Sequence, residues 1–475
     1  MTDRLSNLVL AAGGLLTVLL FVYLAFSQPG YFSSPVFLGG FIGLEFLLVS
    51  LWMYRRIFLP IVVVAFLLAG VDLPVVASIW TAGRWFFLAA GAVVGSFIML
   101  KERAQHFGLF HAMAIFAVAA ALISAAVSRY PSFALLKALS LVLLFLYAGT
   151  GARLAAAGRE NRFLEGLLAG SELFVAGVAL FYLIGREVMG NPNSLGAVMG
   201  VVGAPVLLWG MLVAERPGVR HRRAVLYGIA MFLAFHSRSR AGLAAAFVSC
   251  IVLCLALRRY KLIGQGVVIL VILATTAAIV DPEGFSSTIS LFSTSIVYKD
   301  RDAGLGVFAS RQTPWQGAMD SIRKHWWFGA GFGTTDNGQD ASAHLSKFST
   351  IEGVTSENGS SYLTIFTWVG VLGVLPFVVL ILSLCAKVLR TVLWMLNTGS
   401  PFHPAIPLAI VTLAGLVHAT FEDWLFAPGY YLCVFFWAMA FILSDVAPWA
   451  PLPSFSHSWR PWLLRQGPQV VAPGR

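Results

Sequence analysis

Two arginines two positions apart stand in a short polar break between apolar runs, His236-Ser237-Arg238-Ser239-Arg240-Ala241-Gly242. A guanidinium offers a planar fork of donors that matches two oxygens of a phosphate at once. At the depth of lipid headgroups, Arg238 and Arg240 suit a phosphate or pyrophosphate carried on a lipid. Snorkelling of the same side chains toward headgroups in general is the plainer alternative. Four further stretches carry candidate chemistry: Ser310-Arg311 with Trp315 and the run Phe328-Gly329-Ala330-Gly331-Phe332-Gly333; Glu357-Asn358-Gly359-Ser360-Ser361-Tyr362-Leu363; Gly190-Asn191-Pro192-Asn193-Ser194; and Glu422-Asp423-Trp424, shortly after His418. Taken singly, each also has a structural explanation. Glycine pairs mark turns, and Asn-Pro-Asn-Ser starts a helix by capping. The acidic pair at Glu422 can orient an arginine or bind sugar hydroxyls. Glu45 and Glu172 fall inside apolar runs, where an acid is costly and either functional or hydrogen-bonded between helices. Lys137, near the start of another run, reads as a snorkelling side chain.

The elements that must position these residues follow from composition. Of 475 residues, 59% are apolar and 11% charged, and mean hydropathy is +0.83; a soluble domain carries about 25% charged residues. A cytosolic globule and a disordered chain are both excluded. Apolar runs long enough for membrane helices number about 12–14, from Leu8–Phe26, read as a retained first helix, to Tyr430–Leu443. Ile57–Val71 and Ala224–Phe235 are the short ones. The expectation is an all-α polytopic integral membrane protein with one large extracytoplasmic loop.

A net charge of +11 raises nucleic-acid binding, but the positions of the charges argue for topology instead. Arg55-Arg56, Lys101 with Arg103, Arg153 with Arg159 and Arg162, Arg220 with Arg222-Arg223, and Arg258-Arg259 with Lys261 fall in alternate short loops. Such loops stay in the cytoplasm. Both termini and these loops are therefore cytoplasmic, and no nucleic-acid partner is expected. The chain divides into N-terminal membrane helices (1–280), a large outer loop (281–361), C-terminal membrane helices (362–444) and a Pro- and Trp-rich cytoplasmic tail (445–475). A loop of that length is functional far more often than it is a connector. Within it, helical spacing over 313–325 puts Trp315, Ala318, Met319 and Ile322 on one face. Asp336 and Asp340 lack the ligand spacing of a calcium loop, so no metal is expected. Cys250, Cys254, Cys385 and Cys433 lie in apolar runs, without the spacing or partners of a disulfide framework or thiolate metal site.

Taken together and in this order, the motifs resemble the O-antigen ligase and polymerase superfamily of bacterial envelope glycosyltransferases. Asn191-Pro192-Asn193 resembles the family's Asn-Pro-Asn before a helix, and Ser239-Arg240-Ala241-Gly242 its Ser-Arg-x-Gly turn. Arg311 with Trp315 and Gly329–Gly333 is similar to the Arg-x₃-Trp segment and Gly-x-Gly turn of the large periplasmic loop. Glu357-Asn358, Tyr362-Leu363 and Gly370–Gly373 look like the His-Asn…Tyr-Leu…Gly-x-x-Gly element that closes it. One departure stands out: Glu357 occupies the place of the ligases' histidine, which the resemblance implies is the base for the acceptor hydroxyl. A buried carboxylate with a raised pKa can take that part; His344, thirteen residues upstream in this loop, is the other candidate.

The resemblance implies transfer of an undecaprenyl-pyrophosphate-linked oligosaccharide onto an acceptor sugar hydroxyl at the periplasmic face of the bacterial inner membrane. Arg238, Arg240 and Arg311 would hold the departing pyrophosphate. Glu357 or His344 would act as base, and Asn191, Asn193, Asn358 and Glu422 would contact substrate. No cofactor is expected. The missing histidine favours polymerisation of O-antigen or exopolysaccharide repeats over ligation to lipid A–core or a protein. Partners would be the lipid-linked glycan, the acceptor glycan or lipid A–core, membrane lipids, and flippase and chain-length regulator proteins. A transporter or flippase would instead place charge pairs within its helices and build on inverted repeats, and a scaffold would tolerate loss of Arg311.

Overall fold

The computed structural model describes residues 59–71, 74–102, 107–186, 188–189, 191–291, 309–334 and 359–448, with scattered positions between 15 and 30. Among the described residues there are helices and no strands. They run α1 Leu59–Ala69, α2 Pro74–Glu102, α3 Leu109–Ala126, α4 Pro131–Ala156, α5 Glu160–Leu183, α6 Pro192–Leu212 and α7 Pro217–His236. There follow α8 Arg240–Ala256, α9 Tyr260–Val280, α10 Pro282–Leu291, α11 Ala309–Lys324, α12 Ser361–Thr398, α13 Ala405–Ala419 and α14 Tyr431–Val446. The expected apolar runs from Ile57 onward each coincide with one of these, the largest extensions being at Pro74 and Thr398. Val36–Met53, most of Leu8–Phe26, and Glu45 lie outside the described residues.

Seven of the helices are long and apolar enough to cross a membrane. On α9, Val267, Val268, Ile269, Leu270, Val271 and Ile272 are each more than half exposed, an arrangement that water would not tolerate and lipid favours. Shorter α13 and α14 are instead buried all round, with Ile410, Val434, Phe436 and Trp437 at 0% exposure. They form the centre around which the longer spans pack. The chain is an all-α, multi-pass membrane protein.

Two glycine contacts set the geometry at one end of the bundle. The first joins α6 to α8. A methyl added to Gly200 would lie 2.1 Å from the carbonyl oxygen of Gly242, and one on Gly242 would lie 2.3 Å from that of Gly196. Gly196-x-x-x-Gly200 thus lets two backbones touch, as small residues do in membrane helix pairs. The second lies inside α12, which breaks at Gly370 (φ 64°, ψ −173°). The backbone groups freed by the break are taken up by the turn after α11. Ala330 N–H donates to Thr367 O (2.9 Å) and Gly331 N–H to Trp368 O (3.2 Å), while Val371 and Leu372 N–H donate to Trp326 O (2.8 Å) and Trp327 O (3.2 Å). Serines of α3 and of the turn after it brace the joint, Ser124 Oγ donating to Trp368 O (2.5 Å) and Ser128 Oγ to Ala330 O (2.9 Å). A broken helix survives in a membrane only where other protein satisfies its backbone. Here the Gly329–Gly333 turn does so.

Glu172 on α5 follows the second of the two readings open from sequence, an acid held between helices. Arg223 Nε donates to its Oε1 at 2.7 Å and Arg222 Nη2 to its Oε2 at 2.6 Å, and Arg223 Nη1 also reaches Gly210 O at 2.8 Å. Both arginines lie in the first two turns of α7, which begins inside a loop assigned from sequence to the cytoplasm. The helix carries them to the acid, so their charge is spent on packing as well as orientation. Removing one member of such a pair leaves a poorly solvated charge, at a cost of about 3–5 kcal/mol when fully buried and less here, where Arg222 is exposed. Glu172→Gln should therefore lower the thermal unfolding midpoint of the detergent-solubilised protein. Glu172→Met with Arg223→Met should lower it less, and equal midpoints would show that the pair does not couple.

Candidate active site at the loop end of the bundle

The turn at Ser237–Gly242 is built by its serines rather than its arginines. Ser237 Oγ donates to Ala234 O (2.6 Å) at the end of α7 and accepts from Ser239 N–H (3.2 Å). Ser239 caps α8, its Oγ accepting from Gly242 N–H (3.2 Å). Both serines are buried, at 3% and 1% exposure, so the backbone around Arg240 is tightly set. Arg240 becomes the first residue of α8. A cation at the positive end of a helix weakens the helix slightly, yet adds to the field that attracts an anion. Arg238 adopts left-handed backbone (φ 52°), a conformation costing a non-glycine residue about 1–3 kcal/mol, and its side chain is exposed.

Arg311 enters from α11. On this helix Trp315 is half-buried while Ala318 and Ile322 are buried, so Arg311 lies on the inward face. Met319, expected on that face, is 50% exposed; it lies one position past Ala318, about 100° further round. Arg311 Nη2 meets Glu422 Oε1 at 2.6 Å, with side-chain exposures of 15% and 17%. Trp315 Nε1 donates to Gly359 O at 3.4 Å. A methyl on Gly359 would fall 2.8 Å from Arg311 Nη1, so only glycine, here at φ 64°, leaves the guanidinium its place. Arg240 lies close enough for its charge to feel both Arg311 and Glu422. One guanidinium thus pairs directly with Glu422, and a second, from a distant segment, lies within electrostatic range of the pair.

Glu422 is itself anchored. Its carbonyl accepts from Ser361 N–H (3.1 Å) and from Ser361 Oγ (2.6 Å), and that hydroxyl accepts in turn from Leu425 N–H (3.1 Å). Beneath the turn, buried Trp424 donates through Nε1 to His418 Nδ1 at 2.6 Å. The sequence names Ser361 and His418 within their motifs but assigns them no role, because a serine at a helix start and a histidine at a helix end carry no distinctive local signal.

Asn191 and Asn193 sit at the same end. The Asn191 side chain accepts from Asn193 N–H at 2.8 Å, capping α6, so its carbonyl is already engaged as capping chemistry predicts. Next to it, Tyr431 Oη donates to Ser194 O (3.2 Å) and Tyr430 Oη to Ser194 Oγ (3.4 Å), tying the Glu422 turn to α6. Glu357, Asn358 and His344 lie outside the described residues; the chain re-enters at Gly359, against Arg311. Among the described residues no three His, Cys, Asp or Glu side chains are grouped to hold a metal ion. An apolar cavity of about 1050 Å³ between α1, α5, α6 and α14 includes Tyr431 in its lining and also Arg159 and Arg162.

Residues 224–378 match a family model described as O-antigen ligase. Over these residues the chain is similar to that family. That segment contains the Ser239–Gly242 turn, Arg311, the Gly329–Gly333 turn and the Gly370 break, so the match supports the superfamily resemblance on the elements that form the site. Glu422 and Asn191 lie beyond its ends and meet the matched segment through the tertiary contacts above. No curated protein matches the chain.

Proposed function

We propose that the protein transfers an oligosaccharide from a lipid pyrophosphate to a sugar hydroxyl at the outer face of the inner membrane, extending O-antigen or exopolysaccharide repeats. The Arg311–Glu422 pair, seated against Gly359 with Arg240 within electrostatic range, carries this reading. In such a transfer the bond between C1 of the donor sugar and the pyrophosphate breaks, and negative charge grows on the leaving oxygen. Guanidiniums already held in place stabilise that charge without reorganising, the part a divalent metal has in many glycosyl transfers. Glu422 orients Arg311 by taking one edge of its fork. The acceptor hydroxyl loses its proton to a base as it attacks, with inversion at C1. The apolar cavity lined in part by Tyr431 suits the carrier's polyprenyl chain.

Ligation to lipid A–core is the second reading, favoured by the description of the matching family. A strain lacking the protein separates the two. Lipopolysaccharide bearing single repeats indicates polymerase, long glycan left on the lipid carrier indicates ligase, and unchanged glycans refute both.

The base is the second point to test. Glu357→Gln is expected to bind donor yet transfer nothing, and Glu357→His to recover part of the activity, since imidazole can accept the same proton near neutral pH. Normal product from Glu357→Gln, with none from His344→Ala, would move the base to the histidine.

A further inference from the structure

A second cationic pair lies at the same end of the bundle, across the Phe421–Tyr430 turn from Arg311. Arg84 sits at the start of the apolar stretch of α2, Gly83–Leu100. Its Nη1 donates to Gly429 O at 2.7 Å, and its guanidinium lies 5.7 Å from the Phe66 ring and 5.5 Å from that of Trp85. Its Nε is buried and has no hydrogen-bond partner. Lys137, two turns into α4, carries its Nζ 5.2 Å from the Phe133 ring. It does not merely snorkel: the Gly333 backbone packs on its methylenes, where a methyl would fall 2.8 Å from Cβ and Cγ.

The helices that carry them, α2 and α4, pack side by side, Gly95 lying against the Gly151 backbone, so both cations stand at the same end of neighbouring helices, and neither meets an acid among the described residues. Holding two cations at the edge of an apolar layer, with no acid beside them among the described residues, costs energy that an anion would recover. Both are clamped by the elements that clamp the transfer site. Arg84 holds Gly429, at the far end of the turn that carries Glu422. Lys137 holds Gly333, at the far end of the turn that closes the α12 break.

We infer that Arg84 and Lys137 form a second phosphate site, which holds the phosphate of the acceptor glycolipid while Arg240 and Arg311 hold that of the donor. This assignment rests on the transfer reading above. A polymerase needs such a site because its acceptor is also anchored through a pyrophosphate. A ligase needs it for a phosphorylated lipid A–core. Phosphate is the shared chemistry, and a fixed anchor for the acceptor lipid would hold its sugar hydroxyl toward the donor carbon.

Lys137→Met keeps the methylenes that pack on Gly333 and removes only the charge. Arg84→Gln removes the second cation, and the single Lys137 variant guards against misfolding. Radiolabelled inorganic pyrophosphate in equilibrium dialysis against the full chain in nanodiscs should bind in two equivalents to the wild type. It should bind in one equivalent to the double variant and in one, of the other class, to Arg311→Gln. Wild-type stoichiometry and affinity in both Lys137→Met and the double variant would overturn the assignment, whether or not transfer is observed. In a transfer assay, Lys137→Met should raise the acceptor KM by roughly 10-fold and leave the donor KM unchanged. A rise with lipid-pyrophosphate glycan identifies a polymerase acceptor, and a rise with lipid A–core a ligase acceptor. No rise with either, in a preparation whose wild type is active, removes the second site and leaves the transfer reading intact. A wild type that transfers to neither acceptor fails the transfer reading, and the dialysis alone then decides whether the site exists.

Discussion

Arg311→Lys is expected to cut glycan transfer by roughly 10²–10³-fold, the size of losing one oriented charged donor to a transition state, about 3–4 kcal/mol. The substitution preserves charge, so a site that needed only a positive potential would be spared. What it removes is the fork. Arg311 keeps Nη2 on Glu422 at 2.6 Å and has further N–H groups to present elsewhere, whereas an ammonium that meets Glu422 keeps no fixed second edge for a phosphate. Glu422→Gln should cost less than Arg311→Lys, because the guanidinium and its seat against Gly359 remain. The double variant Arg311→Lys, Glu422→Gln should fall well short of the product of the two single losses if the carboxylate acts by orienting the arginine. Multiplicative losses would show that Glu422 acts on the substrate directly. Near-normal product from Arg311→Lys would leave the arginine as a structural ion pair and take away the main support for the transfer reading.

Gly370→Ala should abolish transfer through a different route, by expelling the turn that follows α11 from the break in α12. Alanine at φ 64° costs about 1–3 kcal/mol for the backbone alone. The added methyl would also lie 2.5 Å from Gly329 N and from Trp327 C and O, which are backbone atoms and cannot turn aside as a side chain can. The four inter-segment hydrogen bonds across the joint share in the loss, at about 1 kcal/mol each. Gly329→Ala should behave alike, since its methyl would fall 2.2 Å from Trp368 O at φ 74°. The helices themselves do not depend on the joint, so the variant should still insert. Faster proteolysis between α11 and α12 with transfer lost is the expected pair of results. Gly228→Ala on α7, where a methyl meets nothing within 4 Å, is the control and should be neutral or stabilising. Normal transfer from Gly370→Ala would show that the turn need not dock for chemistry.

Much of the architecture is written locally. Apolar runs bounded by proline and by charge place helices, because in hydrocarbon a backbone must satisfy itself and the helix does so within one segment. The Asn191 cap and the helical spacing over 313–325 could likewise be read from residue types at short spacing. The resemblance carried by Arg240, Arg311 and Gly329–Gly333 was legible too, since each motif is contiguous. The pairings were not. That Glu422 closes on Arg311 across 111 positions, that Glu172 draws in Arg222 and Arg223, and that Gly370 breaks α12 to receive Gly329 are all meetings of distant segments. Lys137 shows the limit most clearly: from sequence it is a side chain reaching for headgroups, and only the fold sets Gly333 on its stem and Arg84 at the same end of a neighbouring helix. Helix formation answers to the bilayer one segment at a time, so the sequence by itself determined the spans and the candidate residues. Which candidates face one another depends on how helices pack where glycines let backbones touch, and that was decided by the tertiary structure alone.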